Sequence, residues 1–340
     1  MEVTIVYILM GVLAFSFLVI AHEFGHFIVA KLNDVKVEEF SLGMGPKIIG
    51  IKGRETEYLI KALPIGGYVK MLGEEDKTDD PRAFSNKSPL RKLSIVSAGP
   101  IMNIIVAIIL LAIIGYNTGV ITTQVNSVID NSPAKSAGVL ANDTIKEIDG
   151  KKITTWEELS NTISTSKDKE LIITIERDTK SITIAVKPEY NEESKSYIIG
   201  IEPKVVRPSL GQSISYGFKQ LIGMTKLTFS AFGTIFKGQA KMDDFGGPIT
   251  IFRISTEAAK LGFLNLLYFV AIISIQLAIF NIIPFPALDG GWILLFLFEI
   301  ITRKKINDKV VGIANYVGFS ILMLLMIAVL LKDIFFPIKF

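Results

Sequence analysis

Long uncharged apolar runs constrain this chain more than any other feature. Residues 3–30, 93–120, 261–301 and 310–331 carry almost no charged side chains. A helix that crosses a bilayer needs about 20 consecutive apolar residues, and each region supplies that length. A cleaved signal peptide is disfavoured for the first region, because no basic residue precedes it and the run is too long. The pattern predicts an α-helical polytopic membrane protein with four spans.

Basic residues beside these runs predict their orientation. Residues 31–92 contain twelve Lys and Arg, and residues 303–309 contain four more. Cytoplasmic loops carry such an excess, so both segments are expected in the cytoplasm and the N-terminus outside. Residues 210–236, with few charges, fit either a fifth span or an amphipathic helix lying on the outer surface.

Composition excludes several classes of protein. The chain has no cysteine, which rules out disulfides, thiolate metal sites and thiol nucleophiles. Its net charge is only +3, and it shows no basic patch interleaved with aromatic residues, so no nucleic-acid partner is expected.

Two segments between the spans resemble extramembrane structure. Residues 36–72 alternate like strands around Gly66-Gly67, which predicts a small sheet or β-hairpin on the cytoplasmic side. An edge strand there could pair with an extended peptide, although a sheet that only packs on the helices fits equally well. Residues 119–204 predict a compact α+β domain with helices at 132–138 and 156–165 and a hairpin turn at Asp149-Gly150.

The five residues from His22 to His26 read His-Glu-Phe-Gly-His within the first run. Positions four apart share one face of a helix, so His22 and His26 can reach one zinc ion. Glu23 lies beside them, where it can take a proton from water. The alternative is a pair of buried, hydrogen-bonded histidines, but polar groups in an apolar run are costly without a function.

A catalytic zinc needs a third protein ligand, and no other His or Cys remains. Only Asp289 and Glu299 interrupt the third run, and Glu299 lies four residues before Arg303, which predicts a surface ion pair. Asp289 follows a segment with two prolines and precedes two glycines, so a broken helix with a buried site is expected. A kinked span with a solvated Asp289 is the alternative.

Depth favours the pairing of these ligands. At roughly 1.5 Å per residue, His22 lies about 28 Å from the outer start of its span, toward the cytoplasm. Asp289 reaches that side only if the third span also runs inward. This argues that residues 210–236 lie on the outer surface, since a fifth span would reverse the direction.

Three motifs, in order along nearly the whole chain, resemble the site-2 protease family of intramembrane zinc metalloproteases. They are His-Glu-Phe-Gly-His at 22–26, Ser-Ala-Gly-Pro-Ile-Met-Asn at 97–103, and Asn-x-x-Pro-x-Pro-x-Leu-Asp-Gly at 281–290. The 119–204 segment is similar to a PDZ domain, although relatives commonly have Gly-Asp where this chain has Asn142-Asp143. One such insert, and the segment around Phe245, resemble the bacterial branch that performs regulated intramembrane proteolysis.

The resemblance implies roles for individual residues. His22, His26 and Asp289 match the ligands of one Zn²⁺, and Glu23 matches the catalytic base. Asn281 matches a substrate-holding asparagine, whereas Asn103 fits either a positioning role or an interhelical hydrogen bond. Gly99, Pro100 and Pro284 belong to the supporting motifs.

The resemblance also implies a division of the chain and an activity. The divisions are the first span (1–31), a cytoplasmic loop with a membrane-associated β-hairpin (32–92), the second span (93–118), a PDZ-like domain (119–204), extracytoplasmic helices (205–260), the third span (261–301), and a turn with the fourth span (302–340). The implied enzyme lies in a bacterial inner membrane and cuts single-span membrane proteins after a site-1 protease has made a first cut. Release of an anti-sigma factor and clearance of remnant signal peptides both fit.

Two other functions are disfavoured. A PDZ scaffold with a vestigial metal site would not need to keep Glu23 and Asp289. A zinc transporter would be expected to show paired repeats with two broken helices, and the chain has only one broken region.

Overall fold

The computed structural model describes residues 2–74, 78–239 and 246–337; Phe245 lies outside them. The chain forms two compact units, one of Met1–Ile114 with Ile214–Phe340 and the other of Gly115–Ser213. The elements in chain order are α1 (Glu2–Leu32), β1 (Val37–Lys52), β2 (Glu57–Met71), α2 (Pro89–Thr118), β3 (Val120–Val128), α3 (Pro133–Ser136), β4 (Thr144–Ile148), β5 (Lys151–Lys152), α4 (Trp156–Thr165), β6 (Leu171–Arg177), β7 (Lys180–Val186), β8 (Glu189–Asn191), β9 (Ser196–Ile198), β10 (Ile201–Val206), α5 (Leu210–Phe236), α6 (Pro248–Lys260), α7 (Phe263–Ile282), α8 (Asp289–Thr302) and α9 (Asp308–Phe335).

Within the described residues, four helical segments are long and apolar enough to cross a membrane: Leu9–Leu32, Pro89–Thr118, Phe263–Ile282 and Asp308–Phe335. They fall in the four apolar regions that the sequence indicated. The third region is two helices, because α7 ends at Ile282 and α8 begins at Asp289. The prolines lie in this break, but the two glycines lie in the first turn of α8, contrary to expectation. They serve close packing there, since a Cβ on Gly291 would lie 2.5 Å from the carbonyl oxygen of Phe285.

Helix α5 packs against other helices along one side. Leu221 is buried in a core shared with α1, α2, α6 and α7. Further along, Thr228 accepts a hydrogen bond from Gln276 at 3.0 Å, and the ring of Phe232 lies 5.6 Å from that of Phe280. These contacts advance together along both helices, so α5 runs beside α7. The side of α5 that packs on helices carries Gly217, Leu221 and Thr228, whereas Leu227 and Phe229 on the other side are 70% and 59% exposed. Its position on the outer surface of a membrane stays a prediction.

A carboxylate on α9 fixes the start of α6. Asp333 is buried and accepts hydrogen bonds from the amides of Gly247 and Thr250, at 3.1 and 3.0 Å, and from the Thr250 hydroxyl at 2.9 Å. The first amides of a helix lack partners within it, and here a distant side chain supplies the acceptor.

Strands β1 and β2 form a small curled sheet against α1. Residues 37–42 pair antiparallel with 67–71, and residues 47–52 pair antiparallel with 57–61. Residues 39–42 also pair with 57–60, which leaves 67–71 at one edge of the sheet and 47–52 at the other. A core of Ala30, Val35, Val37, Val69, Met71, Phe84, Ile95, Val96 and Phe296 joins this sheet to α1, α2 and α8. The predicted sheet is therefore present, and one edge packs within the helical unit.

The second unit has the expected mixture of short strands and helices. Its main sheet has the order β10-β3-β4-β6-β7 around a core that includes Ile145, Leu159, Ile173 and Ile175. Asn142, where glycine is common in PDZ domains, adopts a φ of 71°, the left-handed conformation that asparagine tolerates well. The next residue, Asp143, is buried and pairs with Arg177 at 2.7 Å.

Candidate metal centre

Three potential ligands from two distant parts of the chain converge in the helical unit. The Nε2 atoms of His22 and His26 lie 3.2 Å apart on one face of α1. Asp289, the first residue of α8, places Oδ2 3.1 Å from the Nε2 of His22 and 3.5 Å from that of His26. The non-helical segment between α7 and α8 brings this carboxylate to α1.

The spacing of the three atoms fits a zinc ion. Tetrahedral zinc with bonds of about 2.0–2.1 Å requires its ligand atoms to lie roughly 3.3 Å apart. The Oδ2 of Asp289 is buried and has no hydrogen-bond partner among the described residues. Two imidazole nitrogens and a carboxylate oxygen facing one another would leave lone pairs unsatisfied, and a bound cation resolves this. His22, His26 and Asp289 would hold zinc, leaving a fourth position open for water or substrate.

The Gly99-Pro100 pair of α2 lets that helix approach the two histidines. A Cβ on Gly99 would lie 2.7 Å from the Nε2 of His22, so any other side chain would displace the ring. Pro100 lies inside α2 and cannot donate to the carbonyl one turn earlier. The carbonyl of Ile95 in α2 lies 2.9 Å from the Nδ1 of His26 and accepts its hydrogen bond. This bond leaves Nε2 free for the metal.

Asn103 contacts the other histidine from α2. It is fully buried, and its amide nitrogen lies 3.1 Å from the Nδ1 of His22, while its Oδ1 has no partner among the described residues. When His22 binds metal through Nε2, its proton resides on Nδ1. A half-turn of the Asn103 amide then brings Oδ1 to accept that proton and satisfies both buried groups. The hydroxyl of Ser274 on α7 holds the Asn103 main-chain carbonyl at 2.8 Å.

Glu23 lies between the ligand cluster and the edge strand of the sheet. The amide of Val69 in β2 donates a hydrogen bond to its carboxylate. A Cβ on Gly67 would lie 3.4 Å from the Cγ of Glu23, so the glycine allows the strand to approach. Residues 67–71 therefore present a strand edge directly beside the candidate base.

A cavity of about 550 Å³ opens onto this cluster. Glu23, both histidines and Asp289 line it, together with residues from β2, α2, α8 and α9. Asn315 of α9 is a lining residue that the sequence did not indicate. Its Oδ1 accepts a hydrogen bond of 3.1 Å from the amide of Ala287, which has a φ of 72° in the break before Asp289. Asn315 lies in the otherwise apolar run 310–331, and a polar residue in such a run was the feature of the sequence that could have indicated it.

The expected surface ion pair between Glu299 and Arg303 is wrong. Glu299 is only 8% exposed and lines the cavity. Helix α8 ends at Thr302, and Arg303 turns left-handed with a φ of 55°, so only its backbone amide reaches Glu299. The four-residue spacing supports a pair only while the helix continues.

Two motif residues lie farther from the cluster. Asn281 is partly buried near the end of α7, and its side chain makes no hydrogen bond within the described part of the chain. Pro284 is exposed in the break between α7 and α8. Their predicted roles in holding substrate or supporting the site stay predictions.

Comparison with known proteins gives matches over the whole chain. The family model for peptidase family M50 matches residues 10–325. A Clostridium acetobutylicum protein whose name describes a zinc metalloprotease is 46% identical over 334 residues, covering 98% of each chain. The Regulator of sigma-W protease RasP of Bacillus subtilis is 28% identical over 408 residues, covering 95% of this chain and 97% of its own. Among solved structures, the PDZ domain of an SdrC-like protein from Listeria monocytogenes covers 25% of this chain and 86% of its own, with 28% identity and a TM-score of 0.22.

Proposed function

This chain belongs to peptidase family M50, and we propose on that premise that it hydrolyses peptide bonds within the transmembrane segments of single-span proteins, with Glu23 as general base. It is a zinc metalloendopeptidase with membrane-spanning helices. The observation that carries the proposal is the position of the ligand cluster. His22, His26 and Glu23 lie inside a candidate span, and Asp289 reaches them from the break after another.

Peptide hydrolysis at this site needs a general base, a metal ion and space for the substrate backbone. When bound by His22, His26 and Asp289, zinc supplies a Lewis acid that polarises the scissile carbonyl and acidifies water. Glu23 takes a proton from the attacking water and later gives it to the leaving amine. The hydrogen bond from Val69 orients the Glu23 carboxylate before the substrate enters. The cavity gives water a path to the site, whose walls are helices and the edge of β2.

A transmembrane substrate must unwind before it is cut, because a helix hides its carbonyls in internal hydrogen bonds. The edge formed by residues 67–71 has no paired strand on its outer side among the described residues, and it faces Glu23. An extended substrate segment added there would regain backbone hydrogen bonds beside the base. We propose that this edge holds the unwound substrate.

The absence of cysteine from the chain allows a clean crosslinking test of this placement. Tyr68→Cys on the edge strand, in a Glu23→Gln background, should form a disulfide with a substrate that carries one cysteine near its scissile bond. Ile51 lies on the opposite edge and is 71% exposed, so Ile51→Cys is the matched control. Equal crosslinking at both positions would overturn the strand-addition proposal and leave the peptidase assignment intact.

The catalytic role is tested with Glu23→Gln alone. Glutamine keeps the shape of the side chain but cannot accept the proton, so cleavage of a single-span reporter should fall roughly 10²–10⁴-fold. Zinc content, measured on the same purified sample, should stay at the wild-type level because Glu23 is outside the ligand set. Normal turnover by this variant would refute the proposed mechanism.

The basic residues beside the spans support an orientation of the chain in the membrane, and similarity to a named relative supports a class of substrate. The basic loops support a cytoplasmic location for residues 31–92, with the N-terminus and the PDZ-like unit outside. That unit would filter substrates by size or bind their trimmed tails after a site-1 protease has acted. One relative is named for regulation of sigma-W, which favours regulated proteolysis over signal-peptide clearance. Deletion of the gene should then change sigma-factor-dependent transcripts; accumulation of signal-peptide remnants alone would favour clearance.

A further inference from the structure

A second pocket, of about 500 Å³, lies where α2 begins and α8 ends, and its lining is strongly cationic. Its walls carry five basic side chains and one carboxylate: Lys87, Lys92, Arg303, Lys304, Lys305 and Glu299. Lys305 pairs with Asp308 at 3.3 Å and Lys87 with Asp34 at 3.7 Å, both carboxylates lying outside the lining. Lys92, Arg303 and Lys304 remain, and the single carboxylate of Glu299 cannot neutralise all three. The pocket therefore favours an anion.

Burial makes this requirement stronger. Lys87 and Lys92 are only 9% and 8% exposed. Lys92 donates to the carbonyl of Ser85 at 2.7 Å, and its ammonium lies 5.7 Å from the Phe84 ring and 5.9 Å from the Phe296 ring. It forms no ion pair in the described part of the chain. A buried ammonium without a counter-charge is unfavourable, so an anionic group in the pocket would stabilise it.

The rim of the pocket indicates which anion fits. Leu90 and Ile300 line the same pocket and are 67% and 38% exposed, and the adjacent Ile301 is 79% exposed. A free phosphate ion would leave these aliphatic side chains without contacts. A phospholipid would place its phosphate among the cations and its acyl chains along the rim, as lipids do at basic pockets between membrane helices.

We propose that this pocket is a binding site for the headgroup of an anionic phospholipid. Ser85, Lys92, Glu299 and Lys305 line both this pocket and the cavity of the metal centre. A bound headgroup would therefore lie against the wall of the catalytic cavity and compensate the cations there. The site depends on membrane insertion but not on peptidase activity, so binding alone can test it.

The experiment uses the full chain in neutral detergent with equal amounts of phosphatidylglycerol and phosphatidylcholine of the same acyl length. Native mass spectrometry counts the lipids that stay bound. The test variant is Arg303→Gln with Lys304→Gln, and the matched control is Lys52→Gln with Arg54→Gln. Both pairs remove one Arg and one Lys, but the control residues belong to the sheet region and do not line the pocket.

Phosphatidylglycerol should dominate on the wild type and on the control variant. Each lost cation should lower that preference about fivefold, since a basic residue near a headgroup contributes roughly 1 kcal/mol. Equal retention of both lipids by the wild type, or equal loss in both variants, would overturn the site. Displacement of the lipid by inorganic phosphate at equal concentration, or by an acidic peptide, would overturn the assignment to a lipid.

Discussion

Asn103 gives the sharpest test of how the helices build the metal centre. The change is Asn103→Leu, which keeps the approximate volume of the side chain and removes both of its polar atoms. Asn103 is fully buried beside the Nδ1 of His22, and no other side chain of the described residues bonds that atom. The substitution therefore leaves the Nδ1 proton of His22 without an acceptor in the state that binds zinc.

The size of the effect follows from that single lost contact. Leaving a buried donor unpaired costs about 1–3 kcal/mol. Partners that orient a ligand histidine are worth roughly 10–100-fold in metal affinity, which spans about 1.4–2.7 kcal/mol. We expect Asn103→Leu to weaken zinc binding by that factor. Asn103→Asp, which offers an acceptor oxygen, should recover most of it.

The assay is competition for zinc against a chromophoric chelator, with cleavage of a reporter measured at saturating zinc. Asn265→Leu is the matched control, because Asn265 lies on α7 and bonds only the carbonyl of Leu261 at 2.9 Å. Wild-type zinc affinity in Asn103→Leu would refute the positioning role. An equal loss in Asn265→Leu would show that an asparagine-to-leucine change elsewhere in the bundle has the same effect.

The remaining predictions concern the third ligand and the stability of the second unit. Asp289→Ala should lose zinc by more than the roughly 100-fold of an orienting residue, as metal analysis after gel filtration would show, whereas Asp308→Asn, on the same cavity, should keep it. Arg177→Met should destabilise the second unit by about 3 kcal/mol at pH 7, because it leaves Asp143 buried and unpaired, whereas Lys169→Met, which breaks an exposed pair, should cost under about 1 kcal/mol. Burial raises the pKa of Asp143, but the hydrogen bonds from Arg177 and from the Leu140 amide, together with the charge of Arg177, outweigh it and hold that pKa below its usual 3.8. The pair therefore stabilises the fold above about pH 4 and loses its effect as the pH falls below that, so the deficit of Arg177→Met, measured by hydrogen exchange of β4 and β6, should shrink there.

Features that depend on neighbours along the chain could be predicted from the sequence. The four spans follow from the length of the apolar runs, and the histidines share a face because a helix repeats every 3.6 residues. The carboxylate at 289 was found by elimination, since the chain has two histidines and no cysteine. The strands of both extramembrane segments follow from alternation and from glycine-containing turns.

Features that depend on which elements pack together could not be predicted. The sequence did not indicate that the side of residues 210–236 with Gly217 and Leu221 packs against α2 and α7. The sequence predicted an ion pair between Glu299 and Arg303, but α8 ends between these two residues and Glu299 lines the cavity. Spacing along one helix carries no information about where that helix ends or which elements cover it.

The division is clearest at the metal centre itself. The sequence alone determined that His22, Glu23 and His26 lie together, because they are within two turns of one helix. Only the tertiary structure decided that Asn103 contacts one histidine, that the carbonyl of Ile95 contacts the other, and that Asn315 bonds the turn before Asp289. These contacts join residues 28 to 81 positions apart, and they exist because close packing at Gly99 and the break before α8 bring separate helices to one point.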